Sequence, residues 1–161
     1  NYHWFNFASS GCDFVCDRLS KNQTSFRRLV LKKDIEIPEV EGVHLVAVNQ
    51  FNKDHRTHDW YAYLINENNY PLETVLIVSN GYDKKDKTST MRHTLKVLGA
   101  KSFAKVEYLE PNVLKLNNEF SVSFFAEGKM LHRNFIFKKN SIAASNAKKV
   151  PLMKEEGILA S

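Results

Sequence analysis

The chain has 161 residues, 43% of them hydrophobic and 25% charged, with 23 Lys and Arg against 18 Asp and Glu for a formal charge of +5. That length suits one domain with a single sizeable core, and the composition excludes collagen-like, mucin-like and acidic disordered classes. The basic surplus makes an anionic partner electrostatically reasonable, whether nucleic acid or an acidic protein surface. No apolar run approaches the roughly 18 residues that span a bilayer, so no membrane role is expected, and a cytoplasmic location is.

The first thirty residues, NYHWFNFASSGCDFVCDRLSKNQTSFRRLV, show neither a period of two nor one of 3.6. Ser9-Ser10-Gly11-Cys12 resembles the end of a lipobox, but Ser9 stands where a branched aliphatic belongs and no basic stretch precedes it. Cys12 and Cys16 are too close together to staple a core and lack partners at zinc-finger spacing. Residues 1–30 are expected to be an irregular extension, with the domain proper at 31–142.

The body reads as a succession of strands. Val43–Phe51 is rich in β-branched residues, and Trp60–Asn66 is apolar on both alternating faces, as a central strand is. Leu72–Ser79, Arg92–Leu98, Ser102–Leu109, Phe120–Ala126 and Leu131–Lys138 follow. The cleanest alternation places Phe120, Val122, Phe124 and Ala126 on one side and Ser121 and Ser123 on the other. Turn-forming residues separate these runs: Asn66 to Pro71, Asn80 to Asp83, Gly99 to Lys101, and a short hairpin connection at Glu127-Gly128-Lys129. One short helix is expected around Glu110–Asn118, with Pro111 in its first turn. About seven short strands without helical crossovers predict an all-β fold: an antiparallel immunoglobulin-like β-sandwich, or alternatively a small β-barrel. Residues 143–161 read as a C-terminal tail that docks on the domain through Val150, Leu152, Met153, Ile158 and Leu159, Pro151 barring a regular central strand.

Catalytic signals are thin. Lys53-Asp54-His55-Arg56-Thr57-His58-Asp59 gathers two imidazoles and two carboxylates, which makes His55 and His58 weak metal candidates. An H-x-x-H spacing in a loop does not fix two ligands on one face, however, and Lys53 and Arg56 would repel a cation. No nucleophile elbow and no phosphate-binding glycine loop occurs, so no catalytic residue, metal or other cofactor is assigned and the residues point away from an enzyme. The most informative surface feature is the basic set Lys84, Lys85, Lys87, Arg92, Lys96, Lys101 and Lys105. With Arg92, Lys96 and Lys105 on one sheet face and Tyr82 or Tyr108 beside them, these residues would form a shallow nucleic-acid platform. The same charges also suit a sheet edge protected from aggregation.

From about Lys32 onward the segments DIEIPEV (Asp34–Val40), DWYAYLIN (Asp59–Asn66), ETVLIVSNG (Glu73–Gly81), TSTMRHTL (Thr88–Leu95), AKSFAKVE (Ala100–Glu107), LNNEFSVSFF (Leu116–Phe125) and PLMKEEGILAS at the end resemble a family of small bacterial proteins. Members of that family are often labelled as a phenylalanyl-tRNA synthetase subunit. The resemblance implies an association with tRNA and carries no catalytic residue to a position here, since no arginine motif or long helix of such a synthetase is visible. The expectation is therefore a non-catalytic binding module for a macromolecular partner, protein or RNA, with an accessory tRNA-related binding protein as the alternative.

Overall fold

The computed structural model describes residues 40–161. The extension at 1–30, its cysteines and the domain start at 31 lie outside the described residues.

Among the described residues nine strands form two antiparallel sheets: β1 (Val43–Asn52), β2 (Thr57–Asn66), β3 (Leu72–Tyr82), β4 (Met91–Leu98), β5 (Ser102–Leu109), β6 (Asn117–Ala126), β7 (Lys129–Phe137), β8 (Lys148–Lys149) and β9 (Glu156–Leu159). One sheet runs β5-β2-β1-β9-β8 and the other β4-β3-β6-β7, and neither closes into a barrel. β2 holds the central place its two apolar faces predict, with β1 on one side and β5 on the other.

The alternation on β6 organises the core. Phe120, Val122, Phe124 and Ala126 are buried in one cluster with Leu72, Val75 and Ile77 of the neighbouring β3 and with Leu45, Ala47, Ala62 and Leu64 of the opposite sheet. Phe120 and Phe137 meet edge to face with centroids 5.9 Å apart, an arrangement favourable for their ring quadrupoles.

A second apolar layer lies on the outer face of the five-stranded sheet. Val46, Val48, Tyr63 and Ile65 are covered there by Val150 and Met153 from the C-terminal segment. The same segment then enters the sheet, β9 pairing with β1 at Val46↔Leu159, Ala47↔Ile158 and Val48↔Gly157. Beyond it, Ser161 exchanges two backbone hydrogen bonds with Ile136 of β7, so the end of the chain joins both sheets along one side of the sandwich.

Two sequence expectations are corrected. The helix expected over Glu110–Asn118 is a single 3-10 turn, Val113–Lys115. Asn118 ends it: its buried Nδ2 donates to the carbonyls of Val113 and Leu116, and the chain turns into β6 opposite Gly81 and Tyr82. The strand count among the described residues is nine, because β8 and β9 come from the segment read as tail; Pro151 precedes β9 and leaves its ladder intact.

Candidate functional site

Among the described residues, the outer edges of β4 and β5 carry no neighbouring strand, and both lie on the side of the sandwich opposite the C-terminal seam. Between them, at the ends where β3 and β5 finish and β4 begins, lies an open-sided cavity of about 470 Å³. Met91, Tyr108, Val113 and Phe120 give it apolar walls, while Ser79, Glu107, Glu110 and Asn118 supply polar groups.

Glu107 enters this space because β5 bulges. In the β2–β5 pairing, Ala62 faces Glu107 while Tyr63 faces Lys105, so Val106 is the extra residue. A bulge sends two consecutive side chains to one side, and here Val106 packs against the core while Glu107 points between the sheets. Its Oε2 accepts hydrogen bonds from Ser79 Oγ at 2.8 Å and from His93 Nε2 at 2.6 Å, tying β3, β4 and β5 together. The Glu107 side chain retains only 9% exposure and His93 25%. A serine, a histidine and a carboxylate meet here, but not as a relay: serine and imidazole both donate to the carboxylate, and neither activates the other. No signal in the strict alternation of β5 marks Glu107 as inward-facing.

The basic residues divide between two places. Lys84 and Lys85 are exposed in the β3–β4 connection, which an isolated bridge between Tyr82 and Lys87 narrows. Arg92 and Lys96 are exposed on β4, and Lys101 sits at φ 50° in the turn to β5. Lys105 belongs to the other sheet, so Arg92, Lys96 and Lys105 do not share one face, which corrects the single platform expected from sequence. Around Lys105 lies an aromatic row. Its ammonium stands 3.3 Å from the Tyr61 ring centroid, Tyr61 tilts against Tyr108 at 5.5 Å, and Tyr63 meets Phe103 edge-on at 6.1 Å. Desolvation holds the Tyr108 phenol above its ordinary pKa, and the nearby carboxylates of Asp59 and Glu110 push the same way.

The histidine loop is occupied with its own geometry. Asn52 Oδ1 accepts from the backbone of Asp54 and His55, Asp59 accepts from Asn52 and Thr57, and His58 Nδ1 lies 3.2 Å from Asn49 Oδ1. His58 and Asp59 lie in β2, beyond the tight turn that holds His55. Among the described residues, no three His, Cys, Asp or Glu side chains come together as a metal site, and no helix is long and apolar enough to cross a membrane.

Compared with known proteins, the chain matches no family model and no curated protein.

Proposed function

We propose that the chain is a non-catalytic, immunoglobulin-like binding module that takes an extended, acidic segment of a macromolecular partner along the free edge of β4. The layering of three main strands against four supports the fold description, while the order within the sheets, 5-2-1 and 4-3-6-7, is the immunoglobulin order of 3-6-7 and 1-2-5-4 traversed in the opposite chain direction. β1, β2 and β5 face β4, β3, β6 and β7, and β8 and β9 are additions at the β1 edge.

The edge of β4 carries the functional reading. It is an eight-residue strand paired only with β3 among the described residues, so its outward N–H and C=O groups are a template for strand addition. Lys84, Lys85 and Lys87 before it, Arg92 and Lys96 within it and Lys101 after it make acidic side chains the complementary choice.

The test is fluorescence anisotropy with a labelled octapeptide of alternating Glu and Val, beside the same peptide with alternate amides N-methylated. Saturable binding that weakens with salt and is lost on N-methylation and in an Arg92→Glu/Lys96→Glu variant supports the reading. Equal binding of both peptides, or of neither, overturns it.

A second reading, an accessory tRNA-related binder, follows the family the sequence resembles. One observation favours it: Lys105 lies among Tyr61, Tyr108 and Phe103, a sheet-surface row suited to stacking bases beside a cation. Salt-titrated binding of tRNA, weakened by Tyr108→Ala, would select this reading; no binding of RNA or DNA at low salt would remove it.

A further inference from the structure

We infer that the cavity between the two sheets is a binding site for a primary alkylammonium group, with Glu107 as its anionic anchor and Glu110 at its rim. The inference is independent of the β4 edge, because Ser79, His93 and Glu107 meet between the sheets, away from the outward backbone groups of β4.

The first argument concerns the placement of Glu107. Its Oε2 is held by Ser79 Oγ at 2.8 Å and His93 Nε2 at 2.6 Å, which fixes the nine-tenths buried carboxylate between the sheets. The second argument concerns its other oxygen. Oε1 accepts no hydrogen bond among the described residues, yet no buried side-chain oxygen or nitrogen there lacks a partner. Oε1 is therefore reached from outside, and the space beside Glu107 is the cavity.

The shape and chemistry of that space select the ligand. At about 470 Å³ it is within the usual range for small-ligand sites, and Met91, Val113, Phe120 and Tyr108 accommodate an alkyl stem. One free carboxylate oxygen suits the point charge of an ammonium better than the planar fork of a guanidinium, which pairs best with two. Glu110 lines the same cavity and adds negative potential where the ammonium would enter. A metal ion would need more ligands in suitable geometry, and among the described residues no three acidic, histidine or cysteine side chains are placed to hold one.

The test is an NMR titration of the full chain with n-butylammonium, n-butylguanidinium and n-butanol in turn. Saturable shifts at Ser79, His93, Glu107 and Phe120 with n-butylammonium are expected, with the guanidinium at least about tenfold weaker and the alcohol failing to saturate. Glu107→Gln should abolish the shifts. Because that change also disturbs the Ser79 and His93 hydrogen bonds, two variants that leave those bonds intact are read beside it: exposed Glu110→Gln, expected to weaken binding several-fold, and cavity-filling Val113→Trp, expected to abolish it. Absence of saturable shifts with n-butylammonium, equal response to n-butanol, or unchanged affinity in both of these variants overturns the proposal. Failure of the octapeptide to bind leaves these outcomes unaffected.

Discussion

Asn66 shows how one buried polar side chain can hold three pieces of chain. It has no exposed surface, and its Nδ2 donates to the carbonyls of Tyr70 and Gly99 at 2.8 Å each while its Oδ1 accepts from the Asn68 backbone. The end of β2, the following loop and the β4–β5 turn are thus fastened at one point. Asn66→Ala removes the donor from the Tyr70 carbonyl and one of the two from the Gly99 carbonyl, which Ser102 Oγ still reaches, and a loss of about 1–3 kcal/mol in urea unfolding is expected; a change below about 0.5 kcal/mol would show that water replaces the amide. Asp83 acts at the surface, where the Lys139 ammonium hydrogen-bonds its carboxylate and holds its pKa below the ordinary value, with help from the Lys84 amide. A carboxyl group whose folded pKa is depressed stabilises the fold above its unfolded pKa and loses that contribution as pH falls through the folded one. Asp83→Asn should therefore lower the melting temperature slightly at neutral pH, and the deficit should fade as pH falls below the ordinary carboxylate range and through the depressed folded pKa. A deficit that persists at low pH would assign the effect to packing.

At the scale of elements, turn chemistry was legible wherever the chain itself dictates it. Glu127 and Gly128 both take positive φ, 50° and 74°, which is the two-residue hairpin turn whose twist matches the strands that β6 and β7 supply. The bulges were not legible. Thr74 adopts φ 47°, unusual for a β-branched residue, where the β3–β6 register shifts, and nothing in LETVLIVS announces it. Strand β9 depends on a missing side chain. A Cβ at Gly157 would come within 2.6 Å of Val46 Cγ1 and 2.9 Å of the Ala47 carbonyl. Gly157→Ala should push β9 from β1 at a cost of about 1–3 kcal/mol, and hydrogen exchange should accelerate at the Ala160 amide, which donates to Leu45. Unchanged protection there would mean that the strands separate without loosening.

For the whole molecule, the asymmetry between its two sides matters most. The C-terminal segment covers the β1 edge and the apolar outer face of its sheet, whereas β4 and β5 keep their edges free among the described residues. A chain ending at Ala147 should expose Val46, Val48 and Ile65 beside an unpaired β1 edge and associate in a concentration-dependent way. Light scattering from a monodisperse monomer of that length would contradict this. The sequence by itself determined the antiparallel β class, the seven main strands and the inward side of β6, because alternation and turn residues are properties of adjacent positions, whereas the choice of two open sheets over a barrel came from the tertiary structure. Only the tertiary structure decided that Glu107 turns inward to meet Ser79 and His93, that Lys105 leaves the other cations for the opposite sheet, and that the last residues become a strand. Each of those outcomes depends on which distant backbone lies alongside, a bulge or an edge pairing, and local periodicity contains no information about that neighbour.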